Sequence, residues 1–598
     1  TANTTAADNT AVGTSALAAN TTGANNVAVG RDALLANTTA INNVAIGFES
    51  LKTSTTGTAN VAVGFQALKT STGDNNTGIG NQALELCSTG ENNTAVGNNS
   101  LDANTTGSSN VGIGALALTS NTTASNNTAV GRSALQSNTT GGANTAVGKS
   151  ALLSNTTGDY NTAVGEGALD ANTTADNNTA VGLAALGANT TGASNTAVGS
   201  GALDANTTGN SNVAVGTDAL TANTTAAGNI AIGVGAQRAT TTGSENTGIG
   251  DGTMAANTTG ANNSAYGSQT LAANTSGGSN TAIGGYALND NTTGANNTAC
   301  GALALDANTT AGNNTAIGYA ALGANTTATD NTSVGAGSLD ANTTGGANCA
   351  LGSEALGANT TGAGTVAIGV SALAAQTTGG ANTAVGKDSG VNVTTGENIT
   401  AVGKDAGLVT TTGSNITAIG VNTRASGATA DNQIIIGTGA AALTSGGATR
   451  FTVGDGSNNS HISLGASGDW SGTSDERFKK NIKDSDIGLS FITDLRPITY
   501  EWKDEGDIPS WAKNYKEGST KSYRNSNAHH GFVAQEAKAV IDKYPEIADG
   551  FHMWSVDDDG QQNIAYGALM PMLVKAVQEL SAEIEELKTQ PKCKCNEE

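Results

Sequence analysis

Ser474 and Lys479 stand within six residues of each other in the run Ser474-Asp475-Glu476-Arg477-Phe478-Lys479-Lys480-Asn481-Ile482. A serine hydroxyl is a weak nucleophile, and a lysine can take its proton only where burial lowers the amine's pKa toward neutrality. Taken alone, a serine and a lysine at this spacing specify little. The other reactive side chains are plainer still. His529-His530 precede Gly531 with no cysteine or carboxylate ligand set nearby, and they read as the polar start of a strand. Asp557-Asp558-Asp559-Gly560 opens like a calcium loop but lacks the glutamate expected at its end, so a solvated turn fits better. The five cysteines (Cys87, Cys300, Cys349, Cys593, Cys595) form neither a disulfide framework nor a zinc site. Cys300 replaces Val in its repeat and is expected as a buried thiol, whereas Cys593 and Cys595 could cross-link chains or form an exposed tail. No phosphate-binding glycine pattern stands out, and no cofactor or metal is expected.

The elements that must carry this chemistry divide at a sharp change of composition. The chain has 598 residues, 81 of them Gly, only 5 Pro and 3% aromatic. All five prolines and all four tryptophans lie beyond residue 469. Up to residue 438 there are 9 Lys or Arg against 24 acidic residues, and beyond it 17 against 25, a net of -15 and -8 within the total of -23. Both parts are acidic, which argues against nucleic acid as a partner. No run of about 18 apolar residues is present, so no transmembrane helix is expected. The chain begins at Thr1, without Met and inside a repeat, so an attachment segment ahead of it is expected.

Residues 1–437 repeat one phrase, N-T-T-G-x-x-N-T-A-V-G-x-x-A-L-x-A. Its anchor glycine recurs 26 times from Gly13 to Gly437, every 17 residues except for one 16-residue step between Gly64 and Gly80. So strict a period specifies a solenoid. Val27-Ala28-Val29 alternates like a short strand with the valines on one face, Ala33-Leu34-Leu35-Ala36 reads as a second strand with Leu34 buried, and Gly30 and Asn20-Thr21-Thr22-Gly23 supply the turns. The expected coil is two strands and two turns, stacked into two parallel sheets with Asn ladders up the stack. At about 4.8 Å per coil the shaft would span roughly 120 Å. One coil has too little apolar surface to offset the entropy of ordering it, so the small Ala faces are expected to be covered by neighbouring chains in a trimer. The Asn-Thr-Thr triplets match a glycosylation sequon, but their period is explained by turns.

Residues 438–473 read as a β-rich connector with runs at Arg450-Phe451-Thr452-Val453 and His461-Ile462-Ser463-Leu464. Residues 474–598 read as a small mixed α/β domain. It ends in a helix whose apolar residues Tyr566, Met570, Leu573, Val577, Leu580, Ile584 and Leu587 step by four and three, a heptad seam over 566–588 that predicts a trimeric coiled coil.

Two resemblances follow. Asn43-Val44-Ala45-Ile46-Gly47 and its copies resemble the head β-roll repeats of trimeric bacterial adhesins, although the period here is longer than that family's usual coil. The C-terminal region resembles the intramolecular chaperone domain of endosialidases and phage tail fibres, the peptidase S74 family. The matching motifs are the Ser474 run, with Phe478 where Leu is more usual, then Leu495-Arg496-Pro497 with Tyr500-Glu501-Trp502, then Gly531-Phe532-Val533-Ala534-Gln535-Glu536, then Tyr566 and the terminal helix. This second resemblance implies a domain that trimerises, guides assembly of the β-structure before it, and cuts itself off between Thr473 and Ser474. By position it makes Ser474 the nucleophile and Lys479 the general base of a single-turnover serine autoprotease, with an orienting or ion-pair role for Asp475 and Arg477. Action within one chain and across the trimer both remain open.

The expected protein is a homotrimeric viral tail fibre or spike, located in the virion tail, that attaches to a host-surface glycan or protein. Other tail proteins would join it through the segment ahead of Thr1. A cellular trimeric adhesin would instead end in amphipathic membrane strands. A glycan-degrading spike would need paired carboxylates, and Asp32, Glu49, Asp74 and Glu85 show no such pair in sequence. Ice binding by Thr arrays is disfavoured because adjacent Thr in a turn do not form a flat face.

Overall fold

The computed structural model describes residues 5–442, 450–454, 459–463, 470–471, 481–510, 512, 515–523, 527–548, 551, 553–556 and 561–590. The chain divides into two compact units, residues 1–472 and 473–598.

The first unit is a parallel β-solenoid of 26 coils. Each contributes one strand of three or four residues, from β1 (Thr10–Val12) to β26 (Gln433–Ile436). Neighbouring strands pair in register, Val27 with Val44, Ala28 with Ala45 and Val29 with Ile46. The 16-residue step leaves this register intact, with Val61 opposite Thr77 and Val63 opposite Ile79.

The strand's faces are the reverse of a conventional core strand. Ala28, Ala45 and Ala62 are fully buried, while Val27, Val29 and Val44 are half-buried and point outward. A 17-residue coil is so narrow that the Leu of the opposite wall fills it. At Gly112, which takes the place of the alanine, an added Cβ would already lie 3.3 Å from Leu101 Cγ. The inward position accordingly holds Ala or Gly in nearly every coil, with Ser333 in β20 and Ile435 in β26 as fully buried exceptions. Two expectations are thereby corrected. The Ala faces line the inside of each coil and cannot be covered by neighbouring chains. Cys300, at an outward Val position, is half-buried rather than interior.

The second expected strand is also absent. Residues 31–36 form turns in which Asp32 (φ 59°) and Leu34 (φ 50°) are both left-handed, and the same two positions repeat this in successive coils. Left-handed backbone strains a residue that bears a Cβ, yet it curls the chain so that Leu34 is fully buried. The amides still bond between coils, Leu34 N to Ser50 O at 3.1 Å and Leu51 N to Ala67 O at 3.1 Å. A ladder of turns therefore takes the place of a second sheet. The anchor glycine allows no substitute. At Gly318 φ is +136°, and a Cβ would sit 2.6 Å from the Gly335 carbonyl oxygen of the next coil.

Two buried asparagine ladders run along the solenoid. Asn138 Nδ2 donates to Asn121 Oδ1 of the preceding coil and to Gly141 O of its own turn, both at 2.9 Å. In the second ladder Asn144 N donates to Asn127 Oδ1 at 2.9 Å and Asn144 Nδ2 to Gly158 O at 2.8 Å. Among the described residues the Asn-Thr-Thr asparagines, Asn138 among them, belong to the first ladder and are buried. Cys87 takes one such position, and burial raises its thiol pKa.

Beyond β26 the sheet changes direction. β27 (Arg450–Gly454) continues it in parallel, then β28 (Asn459–Ser463) and β29 (Trp470–Ser471) add on antiparallel.

The second unit packs α1 (Leu489–Asp494), α2 (Ala534–Ile541), α3 (Pro545–Ala548) and α4 (Met570–Thr589) with two hairpins, β30 (Ile498–Tyr500) with β31 (His529–Gly531) and β32 (Trp554–Val556) with β33 (Gln562–Ile564). Its core holds Ile487, Phe491, Leu495, Val540, Ile541 and Met553. Tyr544 and Phe551 meet the Phe491 ring edge-on at 5.4 and 5.7 Å.

Candidate functional site

Thr473, Ser474, Asp475, Arg477 and Lys479 lie outside the described residues, as do Asp557-Asp558-Asp559-Gly560 and Cys593 and Cys595. The description of the second unit begins at Asn481, and its remaining motifs converge on one region.

Leu495, buried, ends α1 and delivers Arg496 to the surface. The Arg496 guanidinium grips the Glu536 carboxylate of α2 with two bonds, Nε to Oε2 at 2.9 Å and an η-nitrogen to Oε1 at 2.6 Å. The Arg496 bond holds the Glu536 carboxyl below the ordinary range, and the same bond raises Arg496. This fork joins the Leu-Arg-Pro motif to the end of the Gly-Phe-Val-Ala-Gln-Glu motif. Pro497 then leads into β30, which pairs antiparallel with β31, Ile498 opposite Gly531 and Tyr500 opposite His529.

Gly531 is required by close approach. A Cβ there would meet the Tyr566 hydroxyl at 2.5 Å and the Tyr500 ring at 3.3 Å. The Phe532 and Tyr566 rings lie 6.1 Å apart. Residues far apart in sequence thus form one aromatic cluster, and beside it runs an open groove of about 570 Å³ lined by Tyr500, Trp502, Tyr523, Phe532, Ile564 and Tyr566. His529 stacks at a tilt on Tyr500, 5.6 Å between centroids, and Thr499 Oγ1 lies 3.3 Å from His530 Nδ1. Sequence reasoning did not find Trp502, Tyr523 and His529 as a group; the aromatic run from Tyr500 to Trp502 was the only available signal. It also missed Glu505, buried in the loop after β30 and bonded to Ser519 Oγ at 3.1 Å.

The helix α4 follows a 3-10 turn at Tyr566–Leu569. One face packs on α1, where Glu579 Oε2 accepts the Leu489 amide at 2.6 Å and Ala576 is buried. An adjoining stripe of α4 leaves Met570, Leu573, Val577, Leu580, Ile584 and Leu587 exposed, Tyr566 is exposed in the 3-10 turn before it, and these are the seven residues whose spacing forms the heptad seam.

No curated protein and no solved structure matches the chain. Residues 474–547, from the serine of the Ser-Asp-Glu-Arg run through α2 into α3, match the family model described as Peptidase_S74: Chaperone of endosialidase.

Proposed function

We propose that the chain is a homotrimeric viral tail fibre or spike, serving host-surface attachment, whose second unit directs assembly and then severs itself between Thr473 and Ser474. The observation that carries this reading is a family match that begins at Ser474, one residue after the division between the two compact units. The exposed apolar seam of α4 supports self-association, since seven apolar residues at heptad spacing facing water are what a coiled coil would cover.

In the proposed step Lys479 takes the proton from Ser474 Oγ, which adds to the Thr473 carbonyl carbon while backbone amides hold the oxyanion. Collapse breaks the Thr473–Ser474 peptide bond, the departing nitrogen takes up a proton, and water hydrolyses the resulting ester. Asp475 and Arg477 orient the segment.

Denaturing gels with mass measurement on the full chain test this reading. Fragments of 473 and 125 residues are expected, and Ser474→Ala should leave a single species of 598 residues. Cleavage that persists in Ser474→Ala would remove Ser474 as the nucleophile.

A further inference from the structure

Most coils fill their interior with one leucine and, three residues later, one ladder asparagine. The coil of β14 (Ile230–Ile232) replaces both, with Gln237 and Thr240, and buries them fully. Gln237 Nε2 donates to Ile230 O at 2.7 Å and to Asn246 O at 3.3 Å, while its Oε1 is buried without a hydrogen-bond partner. Thr240 has no amide to pass along the ladder. Asn223 Oδ1 of the preceding coil is buried without a partner, and Asn257 Nδ2 of the next coil reaches Thr240 Oγ1 only at 3.4 Å, against 2.9 Å from Asn274 Nδ2 to Asn257 Oδ1. The buried apolar residues divide at the same place, one cluster running from Ala16 to Ala236 and the other from Met254 to Ala442. Between them Gly248 takes the inward place of alanine in β15 (Thr247–Ile249), where a Cβ would lie 3.0 Å from Met254 Cε and 3.1 Å from Gln237 Nε2. The backbone does not share the fault, since Ile230 stays opposite Thr247 and Gln237 N donates to Thr253 O at 2.8 Å. Leucine and asparagine give way together again at Gly390 and Val393, but there Val393 and Ile399 are buried within the second cluster and apolar packing continues.

We propose that the coil of Gln237 is a built-in weak joint, where the stack opens first and which divides the solenoid into two blocks that open independently. In a solenoid each coil contacts only its neighbours, so stability is a sum of nearest-neighbour terms and distant coils cannot make good one poor interface. A buried polar atom without a partner has lost its hydration and gained no bond in exchange. Two such atoms, Gln237 Oε1 and Asn223 Oδ1, lie in adjoining coils, where the apolar column that would offset them is interrupted. Opening here lets water reach both, whereas opening between two leucine coils exposes apolar surface and breaks a complete ladder. The continuous backbone ladder keeps the opening local and reversible. The joint is a property of each solenoid, whatever the number of copies and whether or not the second unit is removed.

Hydrogen exchange of the full chain, read by mass spectrometry of its peptides, tests this joint. Amides of residues 229–257 should exchange at least about tenfold faster than those of residues 144–172 and 280–308, which lie in regular coils on either side, because exchange of a laddered amide reports how often its coil opens. Gln237→Leu combined with Thr240→Asn restores both columns, and Leu101 beside Gly112 shows that a leucine fits against an inward glycine. In that double variant, exchange of residues 229–257 should slow to the rate of the flanking coils while theirs stays unchanged. Uniform exchange along the wild-type solenoid overturns the joint, and so does fast exchange at residues 229–257 that the double variant leaves as it was.

Discussion

At the residue scale, the direction in which a side chain points decides what it contributes. Leu34 was legible as buried because a lone large apolar residue recurs once per coil, whereas the valines were misplaced because alternation states only that two faces differ. Which face is inside depends on the width of the coil. Asp170 shows the same dependence. It follows the buried Leu169 at a position that varies from coil to coil, one of its carboxylate oxygens is buried without a hydrogen-bond partner, and burial raises its pKa, as it does for Asp204 and Asp306. For an acid with a raised folded pKa, the ionised form opposes folding above that pKa, and the penalty is relieved as pH falls and the folded chain takes up the proton first. Asp170→Asn should therefore raise the melting temperature at neutral pH, with the gain shrinking toward roughly pH 4, where ordinary carboxyls protonate. Thermal melts of the two proteins across that range check it, and an unchanged or larger gain at low pH would contradict the burial argument. Glu49 acts in the opposite sense. Hydrogen bonds from Lys52 and Gln66 hold its carboxyl at about 2, so its contribution persists until strongly acidic pH.

At the element scale, α4 is one helix with two obligations. Ala576 and Glu579 tie it to α1, and the seam beside that contact has no cover among the described residues. Its heptad was readable because three- and four-residue steps are geometry that every α-helix shares. The Arg496–Glu536 fork was not, because nothing in a sequence announces a contact across 40 residues. Ile584→Asp places a charge in the seam while leaving the contacts to α1 alone. Under the trimer reading it should lower the yield of trimer at least tenfold, measured by light scattering of the freshly expressed full chain, because each copy would bury an unpaired carboxylate. A normal trimer yield would assign assembly to other surfaces.

At the scale of the whole molecule, 26 nearly equivalent coils raise a problem of alignment. Every strand fits every other, so two shafts can pair one coil out of step with little loss. Parallel pairing of this kind is also slow, which leaves edges open while it proceeds. A domain that trimerises at one end would set the alignment, and cutting it away would make the assembly kinetically locked. The equivalence of coils has a direct consequence. Deleting residues 183–199, one full period between Gly182 and Gly199, should give a shaft shorter by about 4.8 Å with unchanged β signal and unchanged C-terminal processing. Removing ten residues from the same place should disrupt the stack, because strand and turn would no longer face their counterparts. Circular dichroism and thermal melts distinguish the two; equal tolerance of both deletions would contradict a register-locked solenoid.

The sequence by itself determined the period, the number of coils, the columns of Gly and Asn, the change of character near residue 473, and the seam of α4. These are properties of spacing, and spacing survives without coordinates. Only the tertiary structure decided that each coil has one strand rather than two, that Leu34 adopts a left-handed backbone to reach the interior, and that alanine faces inward while valine faces out. The physical reason is the same for all three. A coil of 17 residues closes on an interior barely wider than one leucine, and that volume, which no local pattern records, dictates the path of the chain and the side that is left apolar toward the solvent.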